Sequence, residues 1–213
     1  MSLKDNIKKS LEKIKEQKKR KFAQSIDLTI NLKEFDVSKP ENRINEEIIL
    51  PHGTGKETKI AVFGGGELSE KAKNVADLII DKDELQELAK DKKKVKKMAS
   101  TYSFFIAQSD YMPLIGKTLG PVLGPRGKLP KPVMPNTDIA PLVQRLRKTV
   151  KVRTKDNTAL HLAVGTEKME DEKIAENAAA AIEHIERKLP KGAANIGSIY
   201  IKSTMGEKVR IEV

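Results

Sequence analysis

Gly197-Ser-Ile-Tyr-Ile-Lys-Ser-Thr-Met-Gly-Glu-Lys-Val-Arg-Ile-Glu-Val213 alternates apolar and polar residues on both sides of a short break. Ile199 and Ile201 precede the break, and Val209, Ile211 and Val213 follow it, the period of two half-buried strands. The joining residues are Ser203-Thr204-Met205-Gly206, in which glycine permits the turn and hydroxyls satisfy its backbone. Packing gives no reason for a methionine at such a tip. At the least the stretch is a hairpin; functionally it is a rigid platform offering a thioether to stack on and small polar groups that allow close approach.

Working outward, 213 residues with 38% hydrophobic content suffice for one large domain or two small ones. A net charge of +11 and a pI near 9.6 favour a polyanionic partner, nucleic acid before an anionic membrane surface. No apolar run approaches the length of a spanning helix and the N-terminus has no signal-like core, so a cytoplasmic protein is expected. The chain has no cysteine, and His52, His161 and His184 lack the spacing of a zinc motif. Neither metal nor cofactor is expected.

Leu3, Ile7, Leu11 and Ile14 form one stripe of an amphipathic helix over 3–21 whose other faces are rich in lysine. Ser25 to Leu32 then alternates cleanly, Ile26, Leu28, Ile30 and Leu32 against Ser25, Asp27, Thr29 and Asn31, as a strand of a one-sided sheet does. Phe22, beside Lys21, is either a core plug at the helix end or a surface for a base or ribose. A second strand over 44–50 leads to Pro51-His52-Gly53-Thr54-Gly55-Lys56, a boundary or hinge. This hexapeptide is not a phosphate loop, because Leu50 stands where the first glycine belongs and Glu57 where Ser or Thr belongs.

Past residue 56 the pattern changes. Ile60-Ala61-Val62-Phe63 is continuously apolar and runs into Gly64-Gly65-Gly66, and short apolar runs recur at 76–80, 85–89 and 103–107. Buried strands alternating with helices predict a three-layer parallel α/β domain over 57–151. The triple glycine reads as a tight turn, since Ser69 stands where a dinucleotide fingerprint needs its last glycine. Leu119 to Pro132, with its glycines and prolines, reads as an irregular, ordered, presented loop, and a helix follows over 137–148. From Val152 the first pattern returns: a strand over 159–164, a helix carrying Ile174, Ala178, Ala181, Ile182, Ile185 and Leu189, and the hairpin. The predicted organisation is a discontinuous α+β domain, 1–56 with 152–213, holding an inserted Rossmann-like α/β domain, with hinges near 51–56 and 152–157.

Five spaced motifs carry a resemblance: Lys21-Phe22 with Ser25-Ile26-Asp27-Leu28; Leu50-Pro51-His52-Gly53-Thr54-Gly55-Lys56; Leu123-Gly124-Pro125-Arg126-Gly127; His161 before Val164-Gly165; and Ser203-Thr204-Met205-Gly206. Together they span almost the whole chain, which resembles the universal L-one family of large-subunit ribosomal proteins, the proteins of the mobile stalk. Pro40-Glu41-Asn42-Arg43-Ile44 and an ending directly after the hairpin look archaeal. The resemblance implies a split β-α-β-like RNA-binding domain with two helices, and an inserted Rossmann-like domain. It places RNA contacts at Lys21, Phe22, Ser25, Lys155, His161, Ser198, Lys202, Ser203, Thr204, Met205 and Gly206. A secondary RNA or tRNA surface is expected at Arg126, Lys128 and Lys131, and a hinge at Pro51, His52, Gly53 and Gly55.

The partners so implied are large-subunit ribosomal RNA, exit-site tRNA and the protein's own messenger, which it would repress. The expected state is a free monomer that joins a 50S-type large subunit, with no membrane role and no catalysis. The rivals are an enzyme using the inserted domain to bind a nucleotide, which lacks its fingerprints, and an architectural DNA-binding protein. Residues 57–151 carry the larger cationic surplus, +7 against +4 for the rest. Recognition of folded RNA nevertheless depends more on shape, ribose hydroxyls and stacking than on bulk charge, which favours the sheet domain as principal site.

Overall fold

The computed structural model describes every residue except Met1, Ser2, Lys19, Ser38, Pro40, Glu41, Lys155, Asp156 and Val213. In chain order the elements are α1 (Leu3–Lys15), β1 (Ser25–Leu32), β2 (Asn45–Ile49), β3 (Ile60–Phe63), α2 (Glu67–Ala72), β4 (Leu78–Ile80), α3 (Lys82–Lys90), α4 (Lys92–Thr101) and β5 (Phe104–Gln108). They continue as α5 (Met112–Thr118), α6 (Gly120–Leu123), β6 (Lys131–Val133), α7 (Ala140–Arg147), β7 (Thr149–Arg153), β8 (Ala159–Thr166), α8 (Asp171–Lys188), β9 (Ile196–Ser203) and β10 (Val209–Ile211). Two compact units result, Met1–Lys56 with Lys148–Val213, and Glu57–Arg147.

Unit one is built on an antiparallel sheet of order β10-β9-β1-β8, in which β1 lies between the two strands that α8 connects. Alternation decides its faces. Ile26, Leu28, Ile30 and Leu32 point with Leu160, Leu162, Ile199 and Ile201 into a core closed by Ile7 and Leu11 of α1 and by Ile174, Ala178 and Ile182 of α8. Each such aliphatic side chain contributes about 1.5–3 kcal/mol when fully buried. Helix α8 begins with Asp171 and Glu172 and ends with Arg187 and Lys188, charges that complement its dipole. Lysines of α1 reach across to it, Lys4 to Glu176 (3.5 Å), Lys8 to Glu172 (2.9 Å) and Lys15 to Asp171 (2.7 Å). Part of the N-terminal lysine run thus serves helix pairing. The α1 helix ends at Lys15, before the expected Lys21.

Strands β2 and β7 form a separate two-stranded antiparallel ribbon, Asn45 opposite Arg153 and Ile49 opposite Thr149. The boundary expected at 151 and the hinge expected from 152 therefore fall inside a strand. The ribbon needs a partner about a hundred residues away, which local pattern does not reveal.

Unit two is a parallel sheet of order β4-β3-β5-β6 with apolar clusters on both faces. Ile60, Ala61, Val62 and Phe63 are all fully buried, as a strand covered on both sides requires. Two segments differ from expectation. The run 85–89 lies within α3, Leu85 facing the core at helical rather than strand period. The segment 119–132 is more regular than its composition suggests: Gly120 to Leu123 makes a helical turn with proline in its first positions, and Lys131–Val133 pairs with β5. Pro132 is tolerated because β6 is an edge strand.

Candidate nucleic-acid interface

The turn after β9 is fastened to the start of β1. Thr204 N–H donates to Ser25 O (3.0 Å), and Ser25 N–H donates to Thr204 Oγ1 (3.2 Å). Met205 N–H donates to Gln24 Oε1 (2.8 Å), and Gln24 Nε2 donates in turn to the Glu167 carboxylate (2.8 Å). On the other side Glu207 N–H donates to Gln17 Oε1 (2.8 Å). A Cβ on Gly206 would collide with Ser203 Oγ and Gln17 Oε1, so a larger residue there would displace the side chains that brace the turn. With its backbone held in this way, the Met205 side chain is 59% exposed. Phe22, just before β1, is 54% exposed. Two large apolar groups thus stand in solvent at the end of the sheet where β1 begins and β9 ends.

From that end the uncovered face of the sheet continues. Register places Arg210, Tyr200, Thr29 and His161 directly opposite one another across all four strands. Neighbouring strands lie about 4.8 Å apart, so this row is on the order of 14 Å wide. Lys202 and Asp27 make the next row towards the turn, and Ser198 and Asn31 the row beyond. Thr29 Oγ1 and His161 Nδ1 are 3.1 Å apart, Asn31 Nδ2 donates to Ser198 Oγ (3.0 Å), and Lys208 Nζ lies 5.2 Å over the Tyr200 ring. The arrangement is a flat polar strip with cations, hydroxyls and one aromatic, bounded by Phe22 and Met205. It suits a broad, shaped surface better than a small molecule.

Of the residues expected at this site, Lys21, Phe22, His161, Thr204 and Met205 are exposed and Ser198, Lys202 and Gly206 are half-buried. Ser25 and Ser203 are buried, and act by holding the turn rather than by presenting a side chain. Lys155 lies outside the described residues. Sequence reading missed Gln17, Gln24 and Glu167, which brace the turn, and Tyr200, Thr29 and Arg210. The parity of the strands carried a signal for the last three, since all alternate with core aliphatics.

Burial pushes the Asp27 carboxyl above its ordinary value of 3.8, while Lys202, Lys56 and His161 oppose the shift. The folded state holds this proton more tightly than the unfolded chain does. Stability from this group is therefore fully present below pH 3.8 and is lost as pH rises through the raised folded value. At neutral pH the ionised, half-buried carboxylate is a penalty. Asp27→Asn is expected to raise the melting temperature at pH 7 and to lose that advantage near pH ~3, which melts at the two pH values would check.

The cations expected to form a second surface in unit two are otherwise engaged. Lys128 Nζ donates to Ala99 O (2.8 Å) and Tyr102 O (2.7 Å), and Arg126 donates to Lys96 O (3.2 Å) and Ser100 Oγ (3.0 Å). They cap the C-terminal end of α4. Burial, helped by Arg126, pushes the Lys128 ammonium below the ordinary lysine value. Lys131 is half-buried on β6.

At the expected hinge, His52 N–H donates to Asn177 Oδ1 (3.0 Å), and Asn177 Nδ2 donates to Gly53 O (2.7 Å) and Val164 O (2.8 Å). Gly53 and Gly55 take left-handed φ values of 66° and 69°. After β3, an added Cβ on Gly65 would lie 2.7 Å from the Tyr111 hydroxyl, so this glycine lets the tyrosine tip approach the loop. Among the described residues no group of three His, Asp or Glu could hold a metal ion, and no helix is long and apolar enough to cross a membrane.

Fold and site together define a class: an α+β protein that carries an inserted α/β unit and presents an open, polar sheet face beside a rigid turn. The chain belongs to the ribosomal protein L1p/L10e family, whose model matches residues 11–207, and is of the archaeal type. It is 52% identical over 211 residues to the large ribosomal subunit protein uL1 of Methanothermobacter thermautotrophicus, covering 98% of this chain and 100% of that one. The protein of the same name from Methanothermococcus thermolithotrophicus is 51% identical, with 98% of each chain covered. That from Thermoplasma acidophilum is 48% identical, covering 98% of this chain and 96% of its own.

Proposed function

We propose that this protein is a constituent of the large ribosomal subunit whose unit one docks on ribosomal RNA at the stalk junction. The observation that carries this reading is the turn 203–206, which holds Met205 in solvent through a fully committed backbone, next to Phe22 and a polar open sheet face. A side chain kept exposed on a rigid mount costs stability in isolation and is repaid when an RNA base or ribose covers it. The names of the relatives supply the ribosomal setting. In this reading the free protein is a monomer. Because Asn177 pins His52 and Gly53 to unit one, the movable joints fall after Gly55 and around Arg147, and unit two moves on them to assist release of exit-site tRNA. The same face serves to repress the protein's own messenger wherever that messenger copies the ribosomal junction.

The test is binding of the full chain to a stalk-junction RNA fragment at physiological salt, with duplex DNA and the messenger leader as competitors. Junction RNA is expected to bind at least about a hundredfold more tightly than duplex DNA. The leader is expected to compete with the fragment. Equal affinity for DNA would overturn the ribosomal reading; a leader that fails to compete would remove the repressor role alone.

A further inference from the structure

Helix α4 carries Lys92, Lys93, Lys94, Lys96 and Lys97, all of them exposed. Ion pairs of unit two include Lys71 with Glu67 and Arg147 with Asp77, and none among the described residues involves an α4 lysine. Folding does not ask for this placement. Helix α3, its neighbour, has Asp83 and Glu84 in its first turn and Lys90 in its last, as the helix dipole prefers. Helix α4 has three lysines in its first turn and no acidic residue there beyond the Asp91 cap, while the cations at its far end come from Arg126 and Lys128. Like charges crowded on one short helix repel one another, a cost to the fold that a polyanionic partner removes.

The helix is also made stiff. Val95, Met98 and Ala99 bury its inner face, and Asp91 caps Lys93 N–H (2.9 Å) and Lys94 N–H (3.3 Å). Arg126 and Lys128 hold its far end. The N–H groups of Lys93, Lys94 and Val95 are thus engaged by Asp91, and what α4 offers a partner is chiefly side-chain ammonium groups on a fixed rod. No aromatic, asparagine or glutamine stands among residues 92–97 to read a base. Lysines alone recognise phosphate as point charges, without sequence preference.

We propose that the α4 ridge, and not the 126–131 loop, is the second RNA-contact face, gripping the phosphate backbone of a folded RNA distinct from the junction. This rests on the RNA-binding reading of unit one only in supposing that a second RNA comes near. The full chain would be tested as wild type, as K92Q/K93Q/K96Q/K97Q and as R126Q/K128M. The probes are the junction fragment, bulk deacylated tRNA as a structured RNA without the junction, and anionic lipid vesicles, each across a salt series.

The lysine variant is expected to bind tRNA about tenfold or more weakly, with a salt slope lower by about 2–3, while junction affinity stays within about twofold. Its melting temperature should rise by about 1–3 °C, since repulsion among the crowded lysines is relieved. Loss of binding together with gain of stability is a pair of signs that a merely structural role would not give. The R126Q/K128M variant should melt lower with its salt slope unchanged. An unaltered tRNA slope in the lysine variant, or a lost slope in R126Q/K128M, would overturn the assignment to α4 and leave junction binding to stand by itself. Tight binding to vesicles with none to tRNA would overturn it in favour of a membrane surface. Wild-type chain that binds neither RNA would overturn both readings.

Discussion

Asn177→Leu is expected to destabilise unit one by about 3–5 kcal/mol, a large share of the margin by which a domain of this size stays folded. The side chain is fully buried and makes three hydrogen bonds to backbone, accepting from His52 N–H and donating to Gly53 O and Val164 O. Leucine keeps the branched outline but is the bulkier side chain, so some overpacking adds to the polar loss. Two buried C=O groups and one part-buried N–H lose their partner, at about 1–3 kcal/mol for each buried group, with some relief from local rearrangement. The measurement is hydrogen exchange at His52 N–H alongside a thermal melt. Protection at His52 should disappear, and the unit-one transition should fall by about 10 °C while that of unit two stays in place. A melt unchanged within error would show that water replaces the amide and that the segment 52–53 is not pinned.

Met205→Asp is expected to weaken junction RNA binding by about a hundredfold or more without unfolding the protein. At 59% exposure the methionine contributes little to the core, while its N–H bond to Gln24 survives any change of side chain. Loss of a stacked or packed contact is worth about 1–3 kcal/mol, and a carboxylate facing phosphates adds repulsion. Because no cation is deleted, the salt slope should change little, whereas removing a lysine that touches one phosphate lowers it by about 0.9. Met205→Leu should keep most of the affinity. Binding titrations of both variants across salt concentrations check the point, and a Met205→Asp chain that binds like wild type would remove Met205 from the interface.

Much of this architecture is legible from period alone. Clean alternation in 25–32 and 159–164, the stripe of α8 and the hairpin at 196–211 define the sheet and its inner face. The change to continuous apolar strands after residue 56 marks the inserted unit. What escapes reading is what depends on register or on distant partners. Strand β7 is five residues long and is fixed by β2, far away in the chain. The row Arg210, Tyr200, Thr29, His161 is set by register across three strand pairings, one of which shifts at a bulge between Ile26 and Asp27. Arg126 and Lys128 look like free cations in a glycine-rich loop, and only the position of α4's last carbonyls shows what they bind. Gln24 gave no signal at all; its amide matters because Glu167 and Met205 arrive on either side of it.

The central place of β1 also dictates an order of events during synthesis. Thr29 meets His161 across 132 positions of chain, and Ser25 meets Thr204 across 179. A growing polypeptide therefore displays β1, with Ile26, Leu28, Ile30 and Leu32 uncovered, through the whole time that unit two is being made. Its first neighbour in the sheet is complete only at Thr166 and its second only at Ser203. Pairings of such long range are slow to close and leave a strand edge open to other chains in the interval. The contiguous segment Glu57–Arg147 has no such wait and can collapse as it emerges. The turn that carries Met205 is among the last pieces delivered, and its mount at Ser25 and Gln24 has been standing ready since the beginning. In the proposed RNA-binding role, the platform is therefore complete only once Ser203 to Gly206 have joined Ser25 and Gln24.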